Sequence, residues 1–212
     1  MLAALNEDNV RTLIVYVADK IIESKPLLTE IDSKIGDGDH GIGMAGGLQK
    51  AKDKVLAAEN TGNAYSLFDK AGKAMLMSMG GASGVIFGSL FLAGAKDADA
   101  KAELGPGDLA AMMEKSLAAI KERGKAQVGD KTMVDALEPA VEAMKKTHAE
   151  GLVPMLKAAE EAAAAGLEST KNLQAKFGRA KSLMERAIGF QDAGATSVWI
   201  IFRSMREFAE QH

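Results

Sequence analysis

The sequence predicts an all-α fold, and three observations carry the prediction. Alanine, leucine, methionine, lysine and glutamate dominate the composition, and these are strong helix formers. Only four prolines interrupt 212 residues, β-branched residues are sparse, and aromatic residues make up 5%. Apolar residues recur at helical spacing, as at Leu13, Val17 and Ile21. With 47% hydrophobic residues the chain can bury one sizeable core, so a single domain over residues 1–212 is expected.

The elements follow in order. Residues 8–24 predict an amphipathic helix. Pro26 starts a second, in which Leu27, Leu28, Ile31 and Ile35 hold the spacing as far as Gly36. An acidic loop occupies 36–41. A helix over 42–58 carries Ile42, Met44, Leu48 and Val55, and another is expected over 64–78, closed by the turn Gly80-Gly81-Ala82-Ser83-Gly84. Val85 to Ala95 is apolar nearly all round, which predicts a central helix. Gly105-Pro106-Gly107-Asp108 reads as a turn with Asp108 as N-cap. Helices are expected over 108–123, 132–148 and 152–170, then a loop region from Gly178 to Thr196, then a last helix over 196–210. Seven to nine helices with short connections imply antiparallel neighbours, hence an up-and-down bundle or barrel. Alternate loops of such a bundle share one end. The loops 36–41, 80–84, 129–132 and 189–197 are rich in Gly, Asp, Ser and Thr, so a site is expected where they cluster.

Composition also excludes. A net charge of −3 argues against bulk binding to nucleic acid or anionic membrane. The absence of cysteine removes disulfides, thiolate nucleophiles and cysteine metal sites. Asn6, Glu7 and Asp8 interrupt any signal-peptide pattern, and no apolar run approaches the ~18 residues of a membrane span. A soluble protein of the cytoplasm is expected.

The acidic loop carries most of the chemistry. From Asp32 to His40, three carboxylates and a histidine fall within nine residues, with glycines at the turns. Like charges this close need a cation among them. Oxygen ligands favour Mg²⁺ or Ca²⁺ over zinc, and magnesium commonly completes its shell with substrate phosphates. Asp37 and Asp39 are two apart and point the same way in extended backbone. Glycine lets the loop turn so that Asp32 converges on them. The alternative is an exposed acidic turn with Asp39 capping the next helix. An EF-hand does not fit, because twelve positions from Asp37 end on Leu48 and from Asp32 on Gly43. Gly36-x-Gly38-x-x-Gly41 and Gly41-x-Gly43-x-x-Gly46 match a dinucleotide fingerprint literally, but neither follows a predicted strand. His40 has three open roles: touching a phosphate, orienting a metal ligand, or capping. His148 and His212 read as surface residues.

Three further patches are each ambiguous alone. Gly80 to Gly84 opens a helix with free N–H groups and a small hydroxyl, which suits an anion or, alternatively, close helix packing. Val85 stands where a nucleophile elbow needs glycine, and no P-loop motif is present. Gly124, Gly129 to Met133 and Asp135 form a patch in which Asp130 and Thr132 are good helix caps. In the last patch Arg179 can supply positive charge to a transferring phosphoryl group, while Asp192 and Thr196 can cap the final helix.

Taken in order, Ile35 to Gly41, Gly80 to Gly84, Arg123 to Lys125, Gly129 to Met133, Gly178 to Ala180 and Glu185 through Ser197 resemble the L subunit of bacterial dihydroxyacetone kinase. They are also similar to the C-terminal nucleotide-binding domain of the fused, ATP-dependent kinases. The resemblance implies an eight-helix antiparallel barrel with ADP or ATP at one end. It implies that Asp32, Asp37 and Asp39 hold two Mg²⁺ ions bridging the phosphates. His40, Gly41, Ile42 and Gly43 would line the phosphate side, and Ala82 and Ser83 would contact phosphates. Gly124 and Met133 would border the nucleotide, with Arg179 as catalytic residue and Asp192, Ala193 and Gly194 completing the site. In that family a separate K subunit holds the ketone as a histidine hemiaminal. One branch keeps ADP bound and rephosphorylates it from a phosphohistidine donor, the M subunit of the sugar phosphotransferase system; the other exchanges ATP. Where such subunits often read His-Gln-Asp-Pro-Gly, this chain reads Phe190-Gln-Asp-Ala-Gly194. A ketotetrose therefore stays open as substrate, as does a homo-oligomer. The alternative function is a nucleotide-sensing module that binds a transcription regulator.

Overall fold

The computed structural model describes residues 2–212. Nine α-helices are found among the described residues: α1 (Glu7–Glu23), α2 (Lys25–Ile35), α3 (His40–Leu56), α4 (Tyr65–Ser78), α5 (Gly81–Leu92), α6 (Pro106–Gly124), α7 (Val134–Thr147), α8 (Leu152–Ser169) and α9 (Ala193–Gln211). Two short strands, β1 (Leu5–Asn6) and β2 (Glu103–Leu104), pair antiparallel and tie the start of the chain to the α5–α6 connection. No helix among the described residues is long and apolar enough to cross a membrane.

Eight helices close into a ring. Helix α1 packs on α3, each helix from α3 to α9 packs on the next, and α9 returns to α1. Neighbours run antiparallel: Lys121 pairs with Glu138 while Lys145 pairs with Glu114, which fixes α6 against α7. Arg206 pairs with Glu160 between α9 and α8, and Arg11 near the start of α1 donates to the Val55 carbonyl near the end of α3, which sets those two helices antiparallel. The predicted all-α barrel is therefore found. Helix α2 stands outside the ring, packed mainly on α3 and α9.

One apolar cluster fills the ring, with Phe68, Met75, Phe202 and Phe208 among its buried side chains. At the two closest approaches the backbones themselves touch. A β-carbon on Gly94 would lie 1.9 Å from the Met112 carbonyl oxygen, and one on Gly166 would lie 2.1 Å from that of Asp135. Only glycine permits these approaches.

Antiparallel alternation brings the α2–α3, α4–α5, α6–α7 and α8–α9 connections to one end, as the loop compositions predict. Several boundaries move. Helix α3 begins at His40, so the acidic loop is two residues shorter than expected. Helix α5 begins at Gly81, which puts Ala82 and Ser83 in its first turn. It is one stave of the ring rather than a central helix, and Val85 is 37% exposed. Asp108 is not the N-cap of α6: Gly105 is, Pro106 begins the helix, and Asp108 accepts the Gly105 N–H at 3.0 Å. Helix α9 begins one turn early, at Ala193. The expected loop before it contains 3₁₀ turns over Arg179–Ala187, broken at Met184 by a left-handed φ of 52°.

The far end is fastened by Glu7. Its buried carboxylate accepts the N–H groups of Thr61 and Gly62 and the hydroxyls of Thr61 and Ser66. Burial alone raises its pKa, but these donors together outweigh burial and hold the carboxyl below its usual value.

Two outcomes follow. Gly166→Ala should lower stability by about 1–3 kcal/mol although alanine is favoured in a helix by about 1 kcal/mol, because the new methyl meets backbone. Urea unfolding measures this, and a neutral or stabilising result would contradict the close approach. Glu7→Gln should be less stable than the wild type at neutral pH. A depressed folded pKa stabilises above the unfolded value and is lost as pH falls through the folded one. The wild type should therefore lose its advantage in the acid window below the ordinary glutamate value of 4.5. Parallel stability curves for the two proteins over that window would remove Glu7 from this role.

Candidate functional site

A cavity of about 740 Å³ opens at the end where the four connections meet. Its walls are the first turns of α3, α5 and α9, the turn Lys131–Met133 before α7, and a strap, residues 173–190, that joins α8 to α9. Helix first turns present backbone N–H groups without intrahelical partners and the positive end of the helix dipole. No side chain caps α5, and in α3 only the His40 N–H has a side-chain acceptor, Asp32, whereas Thr132 Oγ1 accepts the first N–H of α7 at 3.2 Å. The cavity is thus suited to an anion at several points of its wall.

The acidic loop lies at its mouth. Asp32 is on the last turn of α2, and Gly36 follows it so closely that a β-carbon there would lie 2.3 Å from Asp32 Oδ1. Gly38 turns the chain with a φ of +77°. As a result one carboxylate oxygen from each of Asp32, Asp37 and Asp39 lies within 4.8 Å of the others. Asp39 occupies the N-cap position of α3 but makes no side-chain capping bond, so its carboxylate is not committed to the helix. Asp32 Oδ2 accepts the His40 N–H at 3.2 Å. Burial, then the charges of Asp37 and Asp32, raise the Asp39 pKa; Arg179 opposes them. The Arg179 Nε, from the strap, lies 2.6 Å from Asp37 Oδ2. Three clustered carboxylates with one guanidinium remain short of positive charge, and an all-oxygen donor set fits a hard divalent cation.

The structure brings most of the expected residues together. Asp32, Asp37, Asp39, His40, Ile42, Gly43, Ala82, Ser83, Met133, Arg179, Asp192, Ala193 and Gly194 all line the cavity. The His40 ring hydrogen-bonds Ser197 Oγ through Nε2 at 2.8 Å and packs against Phe87 at 5.7 Å between centroids. Burial lowers its pKa against the pull of Asp32, which favours a neutral ring at neutral pH. Asp192 caps α9 by accepting the Ala195 N–H at 2.7 Å. Burial is the main cause that pushes its carboxyl up to about 7.

Two expected residues stand apart. Gly41 is buried beneath the wall, where a β-carbon would lie 2.5 Å from the Lys25 carbonyl oxygen and 2.4 Å from Thr29 Oγ1. It lets α3 approach α2. Gly124 ends α6 outside the cavity and touches the lining only through Ile86. Sequence reasoning assigned no site role to Ile35, Met79, Ile86, Phe87 and Phe177, the apolar part of the lining, or to Lys131. The apolar residues look like any core residue in sequence. Lys131 stands inside a quoted motif, but nothing local signals its burial at 2% exposure.

Comparison with known proteins places the chain in a family. Residues 34–207 match the DAK2 domain family. The ADP-binding subunit DhaL of a PEP-dependent dihydroxyacetone kinase of Listeria innocua is 39% identical over 88% of this chain and 89% of its own length. The Escherichia coli ADP-binding subunit DhaL is 38% identical over 87% and 88%. A D-erythrulose kinase of Mycolicibacterium smegmatis is 35% identical over 90% of this chain, which spans 33% of that protein. Among solved structures, the dihydroxyacetone kinase from C. freundii in complex with AMP-PNP and Mg²⁺ superposes with a TM-score of 0.74 at 26% identity, over 98% of this chain and 35% of that one. Family model, relatives and fold all point the same way over nearly the whole length, and the chain belongs to the DAK2 domain family, among the L subunits of the dihydroxyacetone kinases.

Proposed function

We propose that this chain acts in the cytoplasm as a single domain that binds ADP or ATP with two Mg²⁺ ions and passes a phosphoryl group to a small ketose held on a separate K subunit. One observation carries the reading. Three carboxylates within 4.8 Å stand at the mouth of a cavity whose opposite polar wall includes the uncapped first turn of α5. Carboxylates alone would repel a polyphosphate; carboxylates bridged to it by a cation, beside free N–H groups, would hold it.

Asp32, Asp37 and Asp39 would hold the magnesium, which when bound screens the phosphate charge and fixes its oxygens. The N–H groups of Ala82 and Ser83, with the Ser83 hydroxyl, would donate to phosphate, and His40, Ile42 and Gly43 would line that side. Gly41 would serve by bringing the His40 turn against α2, and Gly124 would border the nucleotide through Ile86. Met133, Asp192, Ala193 and Gly194 would close the remaining wall, and the apolar lining would take a flat base. Arg179 would offset charge on the group in transfer. The chain's own contribution would be positioning and charge, the attacking hydroxyl being that of the ketose.

The relatives' names support a donor from the phosphotransferase system: three read PEP-dependent, and one from Lactococcus lactis reads PTS-dependent. A phosphohistidine M subunit would then recharge bound ADP. The D-erythrulose kinase keeps a ketotetrose among the acceptors.

Calorimetry with ADP should show binding in Mg²⁺ and its loss in EDTA. Asp37→Ala should weaken it about 100-fold, on the order of 3 kcal/mol, with unchanged helix content. Equal affinity with and without the metal would reject the carboxylate assignment. With the K subunit, dihydroxyacetone and a phosphohistidine donor or ATP, Arg179→Ala should lower turnover about 100-fold or more, well beyond its effect on ADP affinity. Nucleotide binding without turnover under either donor would leave a sensing module that acts on a transcription regulator.

A further inference from the structure

The strap that carries Arg179 has almost no core of its own. Between residues 173 and 190 only Ala175 and Ala187 are buried. Segments with so few buried apolar contacts open easily unless tied. The ties come from the α6–α7 connection. Lys131 Nζ donates to the Thr170 carbonyl at 2.5 Å and to the Phe190 carbonyl, one at each end of the strap. Next to it, the Asp130 carbonyl accepts the Lys176 N–H at 3.1 Å, and the Asp130 carboxylate pairs with Lys176 Nζ at 2.7 Å. Within the base, Gly189 N–H meets the Lys171 carbonyl at 2.7 Å and Asp192 N–H meets Thr170 Oγ1 at 3.0 Å.

A lysine is almost never fully buried unless it is paired. Here the ammonium sits between two carbonyls, with the charges of Asp192 and Asp135 nearby. Its backbone adopts a left-handed φ of 59°, a conformation unusual for a residue with a β-carbon. Turn, burial and side-chain reach all serve one contact.

We propose that Lys131 is a positioning residue: its ammonium clasps both ends of the strap, and the clasp holds Arg179 against the acidic loop. Lys131 acts through Arg179, not by touching the transferred group. The effect on nucleotide rests on the function proposed above; the clasp itself does not.

The test compares the wild type with Lys131→Met, Lys176→Ala and Arg179→Ala, and with each of the first two combined with the third. Hydrogen exchange reads the clasp without any nucleotide. Amides over 173–188 should exchange about tenfold faster in Lys131→Met, and severalfold faster in Lys176→Ala, with α1, α4 and α8 unchanged. Release of fluorescent methylanthraniloyl-ADP in Mg²⁺ reads the consequence. Lys131→Met should speed it about tenfold, but less than about twofold when Arg179 is already alanine. Unchanged strap exchange would overturn the clasp. Acceleration that adds in full to that of Arg179→Ala would overturn action through Arg179. If Lys131→Met does not fold, the exposed Lys176→Ala carries both readouts alone and is judged the same way. A wild type that binds no nucleotide would fail the function and not the clasp, which the exchange arm still decides.

Discussion

Where α8 crosses α7, the backbone at Gly166 rests directly on the carbonyl of Asp135, and everything at the cavity depends on that approach. The same Asp135 turns its carboxylate the other way, to the N–H groups of Gly129 at 2.6 Å and Thr132 at 2.7 Å. These bonds shape the turn that holds Lys131 and Met133 at the cavity. A helix contact set by the absence of one methyl group therefore reaches the site through a single carboxylate. Gly94 on Met112 plays the equivalent part at the far end of α5, where Ser116 accepts the Gly94 N–H at 3.0 Å. The ring closes at the spacing that these small residues allow, and the loops inherit their positions from it.

Much of this was legible in the sequence because it was local. Helix periodicity marked the staves, and four loops of similar composition, one every second connection, marked the end they share. Asp32, Asp37 and Asp39 converge because of a glycine after Asp32 and another between the two later carboxylates, both visible in the string of residues. What escaped was non-local or displaced by a turn. His40 joins α3 because Gly41 must meet α2, and the sequence does not say which partner Gly41 has. Asp108 has the chemistry of a cap, but Pro106 fits the first helical position better and moves the boundary. Val85 is as apolar as its neighbours, yet it lies on the exposed face of α5. Lys131 is the clearest case, since its partners are carbonyls 39 and 59 residues away.

The electrostatics of the site are those of a device with one component supplied from outside. Asp37 finds Arg179, and Asp192 has Lys131 nearby, but burial and the charges of Asp37 and Asp32 at Asp39 outweigh the attraction of Arg179. Arg179 itself is 72% exposed, so its pairing with Asp37 is weakly held. A guanidinium so placed can give up that carboxylate to a better cation and still remain over the cavity, because the strap and not the ion pair fixes its backbone.

Antiparallel packing has one more consequence, for architecture. Helix α1 runs toward the cavity end, its first turns lying beside Val55 and Thr61, and α9 runs away from the cavity, so residues 7 and 211 both lie at the opposite end of the ring. Additional polypeptide joined at either terminus would extend from the blind side and leave the mouth clear. The ring is in that sense a detachable module, which accounts physically for relatives in which a unit like this one makes up a third of a longer protein. Gene fusion could join or part such a unit without reworking a single residue of its site.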